Sequence, residues 1–478
     1  MPLRALRSVA VALLTLASHQ ARAQDVRQPA MAVDTIAFGS CNKPWKPQPL
    51  WEPIQRMKPQ VFVWTGDAVY TNGSALEDLQ DAIAEQNARP EYTRFLESSG
   101  AYVVGAVDDH DYGVNDGGKD APGRAGRIKA FAEFLEFAQT RTGLDYGNKG
   151  ERRAGGGKEF PERDGLYSEH LFGRVKLILL DTRTHRDGYP LTLPYWVTKL
   201  RIPVLRKCWG TVNTVLRVLS ATVYALIEKA TGRSLMEDGD MLGERQWEWL
   251  EDTLRRSAEA ADKGGGGGDD DAAFHVIVSS VQVFTTNPFV ESWGHFPRAR
   301  RRLVELLTKY RPKGTLFLSG DVHFGELIDG SAGSGAVRGD SVVEVTSSGM
   351  THHAIKRPYI GGMVLRVIKH FSGHRAGKDY YAAGTNFGTL HFDWSAEIGP
   401  CMDGNVHDAN GDVVLTTRVC SKDGGRDVDW LALHESRKLG MDTLTFGVVL
   451  AALSIVLSIL GVTVLRLCCG KTNKFKQN

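Results

Sequence analysis

Neither sign of charge is in surplus: 58 Lys and Arg stand against 56 Asp and Glu, a formal net charge of +2 over 478 residues. A nucleic-acid partner needs a concentrated basic face, so this balance excludes nucleic acid as the main ligand. No internal repeat runs along the chain, which excludes a solenoid or propeller of copied units. Cysteine is scarce, at six residues, so its placement carries more information than its number. What is present, 42% hydrophobic and 24% charged residues, suffices for one large α/β domain or two smaller ones.

The two ends differ from the middle. Arg4 and Arg7 precede the apolar run Val9–Ala17, and Ala21-Arg22-Ala23 offers small residues for cleavage before Gln24. This layout predicts a signal peptide over residues 1–23, since the apolar run is too short to span a membrane. Leu444–Leu465 carries no charge and, at about 1.5 Å per residue, is long enough to cross a ~30 Å hydrocarbon layer. A transmembrane helix is expected over 444–465. Arg466, Lys471, Lys474 and Lys476 follow, so residues 466–478 read as a basic cytoplasmic tail. The expected topology is a single-pass type I membrane protein of the secretory pathway or cell surface, with its main domain, residues 32–437, lumenal or extracellular. A glycolipid-anchor signal fits less well, because such a signal ends in its hydrophobic tail.

That topology sorts the cysteines. Cys468 and Cys469 are expected at the inner membrane face, where juxtamembrane cysteines are sites of reversible palmitoylation. Cys401 and Cys420 bracket the hairpin signal Asn410-Gly411-Asp412, which predicts a disulfide. Cys41 and Cys208 remain, and an unpaired cysteine in an oxidising compartment calls for an explanation such as a metal. Asn72-Gly73-Ser74 is a glycosylation acceptor at Asn72.

Along the main domain, short β-rich runs each end in a polar cluster. Thr35–Phe38 leads to Gly39-Ser40-Cys41, Val61–Thr65 to Gly66-Asp67, and Tyr102–Val107 to Asp108-Asp109-His110-Asp111. Val175–Leu180 leads to Asp181, Phe274–Val278 to Ser279-Ser280, and Thr315–Leu318 to Ser319-Gly320-Asp321-Val322-His323. Helical patterns lie between them at Ala75–Leu96, Arg127–Phe137, Glu244–Ala258 and Ala299–Arg311. This is an α/β alternation, in which ligands gather at the carboxyl ends of strands. Gly155–Gly157 and Gly264–Gly268 read as surface loops. Residues 193–233 form a basic, helically spaced insertion, read as a core or interface helix or as a membrane-surface helix.

Hydrolysing a phosphate ester needs charge neutralisation and a strong nucleophile, which two cations about 3.5–4 Å apart supply by clamping oxygens and acidifying water. Such a centre needs a bridging carboxylate and several further ligands. In Gly66-Asp67-Ala68-Val69-Tyr70 the glycine permits a sharp turn, Asp67 can bridge two cations, and the Tyr70 phenolate suits a hard trivalent ion. Asp321 and His323 are two apart and so share one side of an extended chain. Carboxylates this dense at strand ends repel one another unless cations offset them. His275, within an apolar strand, reads as a satisfied core residue. His352, after Thr346-Ser347-Ser348-Gly349, is a candidate neighbour of the site.

The ordered set Phe38-Gly39-Ser40-Cys41, Trp64-Thr65-Gly66-Asp67-Ala68-Val69-Tyr70, Asp108-Asp109-His110-Asp111, Leu180-Asp181-Thr182-Arg183 and Ser319-Gly320-Asp321-Val322-His323-Phe324 resembles the PhoD-like alkaline phosphatase and phosphodiesterase family, a branch of the calcineurin-like metallophosphoesterases. Leu242-Gly243-Glu244-Arg245-Gln246-Trp247 and Ser279-Ser280-Val281-Gln282 add to it. The resemblance implies an α/β fold of four layers, a β-sandwich flanked by helices, and a centre pairing iron (Fe³⁺) with calcium or another divalent cation. It implies that Cys41, Tyr70 and His323 bind iron, that Asp67 bridges, and that Asp109 and Asp321 complete the shell. His110 would face the substrate as an acid or hydrogen-bond donor, and Arg183 would grip the phosphate through its guanidinium. Asp108 and Asn115 are further candidate ligands or neighbours, although Val107 and the run Asp111–Asp116 depart from the family's usual pattern.

The expected activity is therefore metal-dependent phosphate-ester hydrolysis. A phosphodiesterase acting on lipid or polymer head groups is the close alternative, favoured by the basic insertion and the anchor. A catalytically silent ectodomain is the alternative of another class, opposed by the intact ligand motifs.

Overall fold

Strand β2 (Val61–Thr65) shows how the chain is layered, because every residue in it is buried yet its two faces meet different partners. Val61 and Val63 point into one apolar cluster with Leu177, Val276, Leu318 and Leu390. Phe62 and Trp64 point into another with Trp51, Tyr92 and Phe134. A strand with both faces covered reads as a continuous apolar run, without the alternation of a half-exposed strand.

The computed structural model describes residues 33–71, 73–142, 151–153, 165–188, 223–224, 227–228, 230–231, 233–262, 272–330, 342–353, 381–382, 384–421 and 428–436. The expected signal peptide, the segment 444–465, the tail, Asn72, Cys208 and most of the insertion 193–233 lie outside these residues. Among the described residues no helix is long and apolar enough to cross a membrane.

The first sheet has six strands in the order β14-β13-β12-β1-β2-β3. β1 (Thr35–Gly39), β2 and β3 (Tyr102–Ala106) run parallel. β12 (Phe387–Asp393) joins β1 antiparallel and leads into the antiparallel pair β13 (Cys401–His407) and β14 (Val413–Cys420). Helices α1 (Trp51–Arg56), α2 (Leu76–Asn87), α3 (Pro90–Ser99) and α4 (Arg124–Arg141) contribute to the cluster on its outer face. The single helical pattern expected over Ala75–Leu96 is two helices. Pro90 lacks an N–H and disfavours helical backbone at the residue before it, so Arg89 is extended at ψ 122° and the chain restarts with proline in the first turn of α3.

The second sheet has eight strands in the order β11-β9-β10-β8-β7-β6-β5-β4. Its parallel centre is β6 (Val175–Leu179), β7 (Phe274–Val278), β8 (Leu316–Ser319) and β10 (Val342–Ser347). The flanking strands β4 (Glu151–Arg153), β5 (Ser168–Phe172), β9 (Gly325–Asp329) and β11 (Tyr381–Ala382) are antiparallel. Helices α5 (Glu244–Asp262), α6 (Pro297–Tyr310) and α7 (Trp430–Ser436) cover its outer face with Trp247, Leu303, Leu307 and Trp430. The result is a mixed α/β fold in which two sheets meet across an apolar interior and helices cover both outer faces.

The disulfide expected from the hairpin signal is present. Cys401 and Cys420 face each other in the β13–β14 register and are bonded, and Gly411 takes the left-handed turn position between the strands at φ 93°. His275 is buried with Nδ1 2.9 Å from the Lys313 carbonyl, as a core histidine is.

Candidate metal centre

The parallel strands of both sheets deliver their carboxyl ends to one place. Cys41 lies just past β1, Asp67 past β2 and Asp109 past β3, while Asp321 and His323 lie past β8. Four of these five, Cys41, Asp67, Asp321 and His323, have left-handed backbone, with φ between 53° and 66°. Non-glycine residues avoid this region, and such strain concentrates at functional sites. Two glycines make the convergence feasible. A Cβ on Gly66 would meet Asp108 Cβ at 2.6 Å, and one on Gly320 would meet Ser40 Oγ and the Thr65 carbonyl at 2.5 Å. Gly320 is thus where the second sheet abuts the first, and backbone pairs Met350 N–H to Ser40 O (3.0 Å) and Thr351 N–H to Cys41 O (3.3 Å) close the rim.

The sulfur, phenol and imidazole donors cluster first. Cys41 Sγ lies 3.4 Å from Asp67 Oδ2, and the Tyr70 hydroxyl donates to the same oxygen at 2.5 Å while standing 3.1 Å from His323 Nε2. Cys41, Asp67 and His323 offer ligand atoms that all lie within 4.8 Å of one another. Ser348 braces the group, receiving the His323 N–H at 2.8 Å and lying 3.0 Å from Cys41 Sγ. Cys41 is buried and, among the described residues, forms no disulfide. Burial, followed by the charge of Asp67, pushes the Cys41 thiol and the Tyr70 phenol well above their ordinary values.

The oxygen donors cluster beside them. Asp67, Asp108, Asp109 and Asp321 bring carboxylate oxygens within 4.8 Å of one another. Burial and mutual repulsion hold Asp67 and Asp321 well above the usual carboxylate range, and burial lifts Asp108 to about 7 although Arg183 pulls it back. Such a set is stable as anions only with cations nearby. The donor chemistry fits two: thiolate, phenolate, imidazole and carboxylate for a transition ion, and carboxylates alone for a hard divalent one.

Two candidates are placed differently from the expectation. The Arg183 guanidinium is wholly buried beside the centre and engaged by carboxylates, donating from Nε to Asp108 Oδ1 at 2.6 Å and from Nη1 to Glu291 Oε1 at 2.7 Å. Asp181 sets its direction by accepting the Arg183 and Thr184 N–H groups, both at 2.9 Å, and Gln246 of α5 holds Asp181 by its backbone. The Leu242–Trp247 motif therefore anchors a helix to this turn. Asn115 is exposed, its amide on Asp116. Asp116 turns toward the centre in its place, its N–H on Asp109 Oδ2 at 2.7 Å and its carboxylate grouped with Asp109 and Glu291.

Asp111 is structural, its two oxygens receiving the Val69 and Asp108 N–H groups. His110 is half-buried, stacked on the Tyr70 ring at 3.8 Å, its N–H 3.3 Å from Asp67 Oδ1, and burial lowers its pKa. His352 stands edge-on to Tyr70 and to His323. Glu291, Asp116, Ser348 and Lys43, whose ammonium lies 4.8 Å from the Tyr70 ring centre, were not legible as site residues. Asp116 and Ser348 had a signal, the first in its place in the Asp111–Asp116 run beside two glycines, the second in the Thr346-Ser347-Ser348-Gly349 run.

Comparison with known proteins gives three findings. No curated protein matches the chain. The chain is similar to the solved structure of PhoD at 16% identity, over 86% of this chain and 78% of that one, with a TM-score of 0.43. The family model of the PhoD-like phosphatases matches residues 115–397, more than half of the sequence and a span that includes Arg183, Asp321 and His323. By that match, the chain belongs to the PhoD-like phosphatase family.

Proposed function

We propose that this protein hydrolyses phosphate esters at a binuclear centre held by Cys41, Asp67, Tyr70, Asp109, Asp321 and His323. The observation that carries the reading is the convergence of these six side chains from the ends of four parallel strands, on backbone that is left-handed at four of them. Membership of the PhoD-like phosphatases supports metal-dependent phosphoester hydrolysis as the reaction class.

Cys41, Tyr70 and His323 would suit a ferric ion, Asp109 and Asp321 would suit calcium or another divalent cation, and Asp67 would serve both. When bound, the cations polarise the ester and acidify water. The chain's own residues do the rest. His110, fixed by stacking on Tyr70, offers an imidazole to the leaving oxygen as proton donor. Arg183 keeps Asp108 beside the centre and holds the turn after β3 against the turn after β6. Ser348 fixes the backbone of His323.

The proposed setting is the lumenal or extracellular face of a membrane, on the charge and hydropathy pattern of residues 1–23 and 444–478. The test is elemental analysis of the purified protein beside turnover of a phosphate monoester and a matched diester. Two metals per chain with turnover abolished by chelation are expected, whereas full turnover after complete metal removal would refute the reading.

A further inference from the structure

With Arg183 turned inward, the peripheral oxygens of a phosphate need other donors, and the rim of the centre supplies two. Loop 42–48 carries Lys43, whose backbone N–H donates to Thr351 Oγ1 at 2.7 Å and whose ammonium lies over the Tyr70 ring, 4.8 Å from its centre. Lys46 Nζ donates to the Thr351 carbonyl at 3.2 Å. These bonds pin the loop to the segment after β10, which carries His352. That histidine is 4% exposed, and its ring meets Tyr70 at 5.0 Å and His323 at 4.3 Å between centres, nearly perpendicular to the first and at 61° to the second. Neither ring nitrogen has a hydrogen-bond partner among the described residues.

Buried polar side chains are normally satisfied, so an imidazole with both nitrogens unmatched beside a catalytic cluster marks a group awaiting a ligand. It does not stand among the metal donors: among the described residues His352 belongs to no set of ligand atoms within 4.8 Å of one another. It keeps at least one N–H in either protonation state, and an ammonium has three. Both are donors to an oxyanion, and both stand about the ring of the phenol that the proposed function assigns to metal binding.

We propose that Lys43 and His352 form the anion grip of this centre, holding peripheral oxygens of a phosphate monoester. The inference rests on the phosphoester reading and narrows it. A monoester presents three peripheral oxygens and up to two charges, whereas a diester presents two oxygens and one charge. An ammonium and an imidazole added to two cations therefore favour the monoester.

The experiment compares the metal-loaded full chain with its Lys43→Met, Lys43→Arg, His352→Phe and His352→Gln variants. It measures metal content, inorganic phosphate affinity by calorimetry, and KM and kcat on an aryl phosphate monoester and matched diester. Losing a hydrogen bond to a charged group weakens affinity by about 10–100-fold. Lys43→Met is expected to lose phosphate affinity on that scale with metal content unchanged, and to raise the monoester KM more than the diester KM. Lys43→Arg restores most of the affinity. His352→Phe weakens phosphate binding and His352→Gln, which keeps an N–H, recovers part of it. Unchanged phosphate affinity in Lys43→Met and His352→Phe overturns the grip, and loss of metal in His352→Phe overturns it in favour of a ligand role. A wild-type chain that turns over neither ester but binds phosphate through Lys43 refutes hydrolysis while upholding the grip.

Discussion

Replacing Arg183 by methionine tests the reassignment of that residue most directly. Its guanidinium is wholly buried between Asp108 and Glu291, and Arg186 pairs with the same Glu291 oxygen. The variant leaves Asp108 without its cation and Glu291 with Arg186 alone. Removing one partner of a buried ion pair costs about 3–5 kcal/mol, because the other charge is left uncompensated. With an unfolding entropy of about 2.1 cal/mol/K per residue, a cooperative unit of roughly 400 residues would lose about 4–6 °C in Tm. The loss depends on pH. Burial already holds Asp108 at about 7, and removing Arg183 lifts it further. Above that value the native carboxyl is ionised in the wild type yet must bind a proton or stand unpaired in the variant, so the deficit is larger at about pH 8 than at about pH 6. Calorimetry at both values, beside steady-state kinetics, makes the measurement. An unchanged Tm at both pH values with only a raised KM would mean that the guanidinium meets substrate, and the buried pairing would be wrong.

Three further outcomes are expected. Asp67→Asn should empty at least one metal site and abolish nearly all turnover, while His110→Ala should keep both metals and lower kcat by roughly 10²–10⁴; metal analysis beside kinetics separates them, and metal loss in His110→Ala would make it a ligand. Replacing Cys401 and Cys420 by serine opens a loop with a sequence separation of 19 and should cost about 3 kcal/mol, read as a lower denaturant midpoint with turnover retained. Burial raises Glu344 to about 7, although its oxygens receive the Val283 and Phe284 N–H groups and the Ser319 hydroxyl. The native state then binds a proton that the unfolded chain has released, so stability contributed here falls as pH rises from the ordinary glutamate range toward 7. Glu344→Gln should flatten that part of the Tm-against-pH curve in chelator-treated protein, and an unaltered slope would assign the dependence to the other buried acids.

The strand-end motifs were readable because the chemistry and the local geometry share the same few residues: a glycine that turns, an aspartate that follows. Asp67, Asp109, Asp321 and His323 therefore emerged together, and the structure brings them together. The direction of Arg183 was not readable, since its partner Glu291 is 108 residues away in a stretch without periodicity. Asn115 and Asp116 are neighbours with similar side chains, and only the left-handed backbone at Asp116 decides which one turns inward. The left-handed backbone at Cys41, Asp67, Asp321 and His323 has no signature, because it is uncommon for any non-glycine residue, even for aspartate and histidine, which are enriched in it. The two-sheet architecture was implied by the family resemblance more than by patterning. Strands buried on both faces, such as Val61–Thr65, show no alternation from which to infer a second sheet. Pro90 was passed over, because the apolar spacing on either side of it read as one helix.

The division of the donors between the sheets has a mechanical consequence. Cys41, Asp67 and Asp109 stand on the rim of one sheet, Asp321 and His323 on the rim of the other, and between the sheets lies a broad interior of aliphatic side chains. Apolar contacts are non-directional and resist separation better than they resist shear. Ions held at the proposed centre would act as rivets at one edge, so stripping them would free the sheets to slip from that edge, and amide exchange in β1, β2 and β8 should quicken in concert while the far, disulfide-closed β13–β14 hairpin keeps its own rate.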